Sequence, residues 1–170
     1  LEALQRDRRA ISIGFIDADG AFDSREVERV TKLFLDKVQA GVDSLWTSRV
    51  KMLGRQIERN ELRHYLGRIV ATLISGSFPN FPYDSQCGFK IFKRTEALQT
   101  SLQAPFETRW FFDLEFILRL IKDSEDGYKI REEPLENWVD IKGSKIGFKS
   151  YFSIFLEILK IKSLLKKSLG

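Results

Sequence analysis

Ile11–Gly20 reads ISIGFIDADG, an apolar run typical of a strand that leads directly into Asp17 and Asp19. Residues i and i+2 of a strand point the same way, so two carboxylates with this spacing at a strand end can share one divalent cation. Mg²⁺ prefers oxygen ligands and is usually held by one or two carboxylates together with substrate phosphates. The stretch therefore predicts a metal site for a nucleotide-activated substrate. The alternative is a solvated turn in which Asp17 or Asp23 caps the following helix.

The composition is that of an ordinary globular domain. Of the 170 residues, 43% are hydrophobic and 31% are charged, with four prolines and no repeated or low-complexity segment. The single cysteine, Cys87, rules out an intramolecular disulfide. The sequence contains no run of about 18 apolar residues, the length needed to span a bilayer. These features exclude disulfide-stapled scaffolds and disordered tails as classes.

The positive charge is concentrated at the C-terminal end. Residues 141–170 contain seven lysines and one acid, a local balance of +6, which leaves −2 on the rest because the whole chain carries +4. A basic end on a slightly acidic body predicts an anionic partner, either a phosphate-bearing ligand or an anionic lipid surface. The alternative is a basic helix end that serves only solubility.

Predicted helices and strands alternate along the chain. The helices are predicted over residues 1–9, 24–39, 58–75, 111–122 and from 147 onward, and the strands over 10–16, 42–50, 88–92, 128–134 and 135–141. In the second helix, Val27, Val30, Phe34 and Val38 recur at helical spacing, and Gly41 ends it. The alternation predicts an α/β layered sheet, in which ligands bind at the carboxyl ends of strands.

Further polar groups lie at the boundaries of these elements. Ser48 and Arg49 end a predicted strand, Asp84 opens the segment DSQCGFK, Asp113 and Glu115 lie in WFFDLEF, and residues 143–145 read GSK. Each has a plain alternative: a surface cation, the polar face of a helix, or a turn.

In chain order, these segments form a pattern that resembles a known family. Its six segments are IDADGAF, SR, an arginine-rich helix with Arg55, Arg59 and Arg63, DSQCGFKIF, RWFFDLEF and EEPLENWVDIKGSK. The pattern resembles the inverting glycosyltransferases of the GT-A fold, a Rossmann-related mixed sheet flanked by helices. The similarity is greatest to the dolichyl-phosphate β-glucosyltransferases, which belong to the branch that loads a sugar onto a polyprenyl phosphate. It covers nearly the whole chain in six segments.

The resemblance implies a set of ligands and a location. The donor would be a nucleotide sugar, UDP-glucose. The cofactor would be Mg²⁺ or Mn²⁺, and the acceptor would be a polyprenyl or dolichyl phosphate. The protein would act peripherally at the cytoplasmic face of a membrane, and we expect no nucleic-acid partner. The family's nucleotide-binding half should precede the metal motif. We therefore expect an N-terminally incomplete GT-A domain over residues 1–147, lacking that half or completed by a partner chain, and inactive in isolation.

The resemblance also implies roles for individual residues. Asp17 and Asp19 would bind the metal, and Asp84 would support the metal or position the acceptor. Because a phosphate monoester has a second pKa near 6 and is already an anionic nucleophile, it needs cations rather than a general base. The acceptor-phosphate ligands would be Arg49, Arg63, Ser144 and Lys145, with Arg49 and Lys145 also counted among the catalytic residues. We expect His64, the only histidine, to be a surface or packing residue.

Residues 148–170 are predicted to form an amphipathic basic helix. Phe148, Tyr151, Phe152, Phe155, Leu156 and Leu159 share one face, and Lys149, Ser153, Glu157 and Lys160 lie opposite. Aromatic residues and lysines together favour a membrane interface, and the alternative is packing on the sheet or on the missing half. The alternative function is a catalytically silent module that binds lipid or a partner. The acids and cations that the chain retains favour the enzyme.

Overall fold

The computed structural model describes residues 6, 7, 9–58, 81–124, 127–140, 156, 157, 159–161 and 163. The chain divides into two compact units. The sheet unit comprises Arg9–Lys93 and Lys129–Lys142, and the helical unit comprises Leu1–Arg8, Arg94–Tyr128 and Gly143–Gly170. The boundary predicted between residues 147 and 148 stays a prediction.

The sheet unit is built on a mixed four-stranded sheet. The six strands of the unit are β1 (Ser12–Ile16), β2 (Ser44–Ser48), β3 (Gln56–Glu58), β4 (Phe89–Lys93), β5 (Ile130–Pro134) and β6 (Asn137–Val139). The main sheet has the order β1-β4-β2-β5, in which β4 is antiparallel to β1 and β2, and β2 is parallel to β5. The carboxyl ends of β1, β2 and β5 therefore share one edge with the beginning of β4. We call it the carboxyl edge.

Helix α1 (Ser24–Gln39) covers this sheet and has the bounds that the sequence predicts. The Asp23 side chain accepts a hydrogen bond of 2.8 Å from the Glu26 backbone N–H at the first turn. Gly41, with φ of +83°, ends the helix and donates its N–H to the Val38 carbonyl. On the inner face, Val30 and Phe34 join the hydrophobic core of the sheet. A mixed sheet with α1 packed on it confirms the predicted α/β class.

A second, two-stranded sheet pairs β3 with β6 in parallel. Glu58 and Arg55 are predicted from the sequence to lie on a helix, and both placements are wrong: Glu58 ends β3, and Arg55 lies just before this strand. The reason is long-range, because Ile57 lies opposite Trp138, and both side chains are buried. The rest of the predicted helix lies outside the described residues.

The helical unit contains α2 (Glu96–Ser101) and α3 (Phe112–Lys122). The sequence predicts α3 to within one residue and misses α2. Asp113 and Glu115 are buried rather than forming a solvated helix face. Glu115 accepts hydrogen bonds from the backbone N–H groups of Glu107 and Thr108, so it fixes the loop before α3.

The described part of the C-terminal segment is helical. Leu156 and Leu159 are nearly half exposed, whereas Glu157 and Ile161 are buried. The Glu157 carboxylate accepts hydrogen bonds from the backbone N–H groups of Trp110 (2.7 Å) and Phe111 (3.1 Å). Glu157 therefore faces its own unit, while the leucines face outward. Nothing in the described part of the chain forms a helix with both the length and the apolar character to cross a membrane.

Candidate active site

The topology of the sheet unit brings the predicted site residues of this unit to its carboxyl edge. Asp17 directly follows β1, Arg49 directly follows β2, and the segment from Asp84 to Gly88 leads into β4. The β5 residue Glu132 lies opposite Trp46 of β2. Groups that are far apart in sequence are thus adjacent, because β1, β2 and β5 run in the same direction.

The two predicted metal ligands lie in a turn rather than on the strand. β1 ends at Ile16, and Asp17–Gly20 turn away from it, with Gly20 at φ of +82°. Asp19 Oδ1 accepts a hydrogen bond of 3.0 Å from the Ala21 backbone N–H, which fixes the turn. The cap of α1 is Asp23, so Asp17 does not have the capping role that the alternative interpretation allowed.

Asp17 is held against the backbone that precedes β4. Its N–H donates a hydrogen bond of 2.8 Å to the Gly88 carbonyl. A Cβ atom placed on Gly88 would lie only 1.9 Å from Asp17 Oδ2 and 2.2 Å from Cγ, so the carboxylate occupies the space that any other residue's side chain would need. Gly88 is therefore required by this contact, and not by its own φ angle.

Opposing influences act on the pKa of the Asp17 carboxyl group. Although Asp17 is exposed overall, partial burial raises the pKa of its carboxyl group, and the nearby charge of Asp19 raises this pKa further. Lys90 and Arg49 act in the opposite direction. Mutual repulsion of two carboxylates is what a divalent cation between them would relieve.

The donor chemistry of this turn fits Mg²⁺ or Mn²⁺. Asp17 and Asp19 offer oxygen ligands only, which hard cations prefer. Within the described ranges, no group of three or more His, Cys, Asp or Glu side chains is arranged to hold a metal ion. Two carboxylates are the number of protein ligands that a Mg²⁺ site completed by substrate phosphates would use.

Arg49 and Asp84 form a two-pronged ion pair. Arg49 Nε donates to Asp84 Oδ2 and Nη2 donates to Oδ1, both at 2.7 Å, and the Arg49 backbone N–H adds a third hydrogen bond of 3.0 Å to Oδ2. Both side chains are largely buried. Burial alone would lower the pKa of Arg49, but the hydrogen bonds and charge of Asp84 outweigh it and raise this pKa. Arg49 is therefore a fixed cation with a defined orientation.

Two further side chains support this pair. The Glu132 carboxylate accepts hydrogen bonds from the backbone N–H groups of Tyr83 (2.9 Å) and Asp84 (2.8 Å), which anchors the loop that carries Asp84. Burial raises the pKa of Glu132, and the two backbone N–H groups oppose this rise. On the other side, the guanidinium carbon of Arg49 lies 5.2 Å from the centre of the Trp138 ring, within cation–π range.

Cys87 and Lys90 form the buried support behind Gly88. The Cys87 thiol lies 3.0 Å from the Thr47 hydroxyl, and burial raises its pKa to about 11, so it is protonated and unreactive at neutral pH. Lys90 is buried, donates a hydrogen bond of 2.5 Å to the Cys87 carbonyl, and lies over the rings of Phe15 and Trp46. It therefore ties the chain immediately before Gly88 to β4.

Not all the predicted site residues can be placed. Arg63, Ser144 and Lys145, the other predicted acceptor-phosphate ligands, lie outside the described residues, as does His64. Three residues that contact the site, Lys90, Glu132 and Trp138, were not predicted from the sequence. A lysine between apolar residues in FKIFK was an available signal for Lys90. Glu132 and Trp138 lie in the recognised segment EEPLENWVDIKGSK, but only the tertiary contacts reveal their partners.

Comparison with known proteins gives a consistent set of relatives. The chain is 30% identical over 142 residues to the dolichyl-phosphate beta-glucosyltransferase of Saccharomyces cerevisiae, covering 78% of the chain and 41% of that relative. Two dolichyl-phosphate beta-glucosyltransferases of Trichomonas vaginalis are each 29% identical, over 148 and 151 residues, covering 86% of the chain and 42% and 43% of their own lengths. No family model matches.

These matches confirm the resemblance inferred from the motifs. The homology to dolichyl-phosphate beta-glucosyltransferases is weak but consistent, and it extends over most of the chain. The chain spans 41 to 44% of the length of the curated relatives it matches.

Proposed function

We propose that this chain supplies the metal-binding and acceptor-side residues of a glycosyltransferase that transfers glucose from UDP-glucose to a polyprenyl phosphate. The relatives are dolichyl-phosphate beta-glucosyltransferases, which supports this reaction class. The single observation that carries the proposal is the Asp17–Asp19 turn packed on Gly88, beside the Arg49–Asp84 pair. Two acids and an oriented cation at one sheet edge suit the joining of two phosphate-bearing substrates.

In this proposal, Asp17 and Asp19 would hold the Mg²⁺ or Mn²⁺ ion that binds the donor. When bound, the cation supplies Lewis-acid stabilisation of the charge that develops on the departing nucleoside diphosphate. The protein's part is orientation. The hydrogen bond from Asp17 to the Gly88 carbonyl and that from Ala21 to Asp19 hold the two carboxylates in place before a ligand arrives.

Arg49 is proposed to orient the acceptor phosphate, and Asp84 to orient Arg49. Because the acceptor phosphate is already anionic at neutral pH, no general base is required. What the reaction needs instead is a cation that brings two anionic substrates together. Arg63, Ser144 and Lys145 are proposed as further ligands of this phosphate, as the family resemblance implies.

The acceptor is proposed to reach the site from a membrane surface, with the protein bound peripherally on the cytoplasmic side. Leu156 and Leu159 support this location, because they leave an outward apolar face on the C-terminal helix beside the exposed Lys160. Apolar side chains together with lysines are typical of helices that lie in a membrane interface.

The direct test is transfer of labelled glucose from UDP-glucose into lipid-extractable product. We expect none from the 170-residue chain alone. We expect transfer when the chain replaces the matched segment of the Saccharomyces relative. In this chimera, Asp19→Asn should abolish transfer. Asp23→Asn should not, because it changes an acid in the same loop whose place is the helix cap, where asparagine serves equally well.

Two results would contradict the proposal. One is a chimera that folds and binds UDP-glucose with Mn²⁺ but transfers no sugar to any polyprenyl phosphate, which would favour the silent lipid- or partner-binding module. The other is full transfer by the Asp19→Asn chimera, which would remove the metal assignment.

A further inference from the structure

The turn that follows Arg49 carries two adjacent exposed apolar side chains. Leu53 is fully exposed, at 104% of the reference accessibility, and Met52 is 49% exposed. Turn positions usually carry Gly, Pro, Asn, Asp or Ser. Single exposed apolar residues are common on soluble proteins, but an adjacent pair at the tip of a tight turn presents a compact apolar point. We call residues Lys51–Arg55 the apolar turn.

The apolar turn is held firmly at its base. The Arg55 N–H donates a hydrogen bond of 3.1 Å to the Met52 carbonyl, and Gly54 has φ of +80°, the backbone geometry that a type II turn requires at its third position. Arg55 also pairs with Glu136 at 2.9 Å, and β3, which follows, is paired with β6. Leu53 is therefore presented by an ordered backbone.

A bilayer fits the apolar turn better than a protein partner does. A stable protein interface buries about 800 Å² on each side and needs a complementary surface, whereas two side chains offer a small fraction of that area. A bilayer interface requires no pocket and accepts a narrow apolar point flanked by basic residues. Of the three cations in residues 49–56, Arg49 and Arg55 are paired with acids, and the exposed Lys51 suits anionic headgroups.

We propose that the apolar turn inserts Met52 and Leu53 into the surface of an anionic bilayer, next to Arg49. The inference rests on the proposed function in one respect, because this contact would bring the phosphate of a membrane-borne acceptor close to Arg49. Because Arg49 and Arg55 are each paired with an acid, Lys51 supplies most of the uncompensated charge. The attraction is therefore mainly apolar and should persist in high salt.

The test places a polarity-sensitive nitrobenzoxadiazole label on Leu53→Cys. Cys87 is buried, and the chain without an added cysteine serves as the labelling control. With phosphatidylserine-containing vesicles, emission at position 53 should shift to the blue and be quenched by a lipid-attached nitroxide. Leu35→Cys, on the exposed side of α1 and 43% exposed in the native chain, should show neither effect.

A label-free variant checks the same point. Met52→Ser combined with Leu53→Ser should weaken vesicle partitioning roughly tenfold, because two apolar side chains no longer leave water. Leu35→Ser should leave it unchanged.

Three results would overturn the inference. In the first, vesicles change the emission of a label on Leu156→Cys but not that of the label at position 53. The C-terminal helix would then make the membrane contact, as in the proposed function. No response at either position would also reject insertion of the turn. A blue shift without vesicles that grows with protein concentration would make a second copy of the chain the occupant. None of these readings depends on sugar transfer, so the inference and the proposed function can fail separately.

Discussion

The carboxylate of Asp17 lies directly over Gly88, in the space where a Cβ atom would stand 1.9 Å from Oδ2. The same two residues are joined by a backbone hydrogen bond of 2.8 Å. The position of the first predicted metal ligand is thus fixed by a residue that offers no side chain. A site of this kind is sensitive to a single methyl group.

Gly88→Ala should therefore weaken Mn²⁺ binding by roughly 10- to 100-fold, the range typical of changes to groups that orient metal ligands. Isothermal titration with Mn²⁺ measures this directly. Gly54→Ala is the matched control, since Gly54 has positive φ and open space around it, so alanine there strains the backbone without touching Asp17. Equal losses of affinity in the two variants would mean that lost stability, and not the Gly88 contact, is responsible.

The Arg49–Asp84 pair should show strong energetic coupling. Removing one partner of a buried ion pair typically costs about 3 to 5 kcal/mol, because the other charge is left uncompensated. Arg49→Met and Asp84→Asn should each lower the free energy of unfolding, and the double variant should lose much less than the sum. Urea denaturation of all four proteins measures the coupling. The exposed pair Glu28–Lys32 on α1 should show little, and additive losses at Arg49 and Asp84 would refute the coupling.

Glu115 should make stability depend on pH in the acidic range. Burial raises the pKa of Glu115, but hydrogen bonds from Glu107, Thr108 and Arg119 outweigh it, so this pKa lies below its ordinary value. The folded state thus holds Glu115 ionised more readily than the unfolded chain does. Its stabilisation is complete above about pH 4.3, the ordinary glutamate pKa, and is lost as the pH falls through the lower folded-state value.

Glu115→Gln should accordingly lower the free energy of unfolding by about 1 to 3 kcal/mol at pH 7, with the difference shrinking below about pH 4. Denaturation series at several pH values measure the difference. Glu107→Gln removes the same charge from an exposed side chain and should have little effect. A difference between wild type and Glu115→Gln that does not change with pH would reject this ionisation as its cause.

The C-terminal helix offers a separate test of membrane contact. Replacing Leu156 and Leu159 by serine should lower the fraction of protein that sediments with anionic vesicles, roughly tenfold in partition coefficient if both side chains enter the interface. Raising the salt concentration should weaken wild-type binding without ending it, because salt screens the lysines and not apolar burial. Leu35→Ser is again the control. Unchanged sedimentation of the double variant would remove these leucines from the membrane.

Local signals explain which elements could be predicted from the sequence. Both ends of α1 are encoded within a few residues, by the Asp23 cap and Gly41, and its bounds were predicted correctly. β3 has only three residues and depends on pairing with β6, about eighty positions away, so no local pattern could identify it. α2 is a single short helix without a marked apolar period.

The candidate site likewise has features that could be predicted from the sequence and features that could not. Asp17 and Arg49 lie at the ends of predicted strands, which alternating elements bring to one edge, whereas Asp84 and the roles of all three residues were predicted from the family resemblance. The partners were not predictable: Arg49 and Asp84 are 35 positions apart, and Asp84 and Glu132 are 48 apart. The contact of Asp17 with Gly88 depends on the antiparallel register of β1 and β4, which no motif encodes.

Asp17 and Asp19 are proposed to hold a divalent cation together, and Mn²⁺ titration followed by electron paramagnetic resonance tests this proposal most directly. The wild-type chain should bind Mn²⁺ weakly, Asp19→Asn should abolish the binding because it removes both a charge and a ligand, and Asp23→Asn should leave it intact. Equal Mn²⁺ affinity in wild type and Asp19→Asn would contradict the claim.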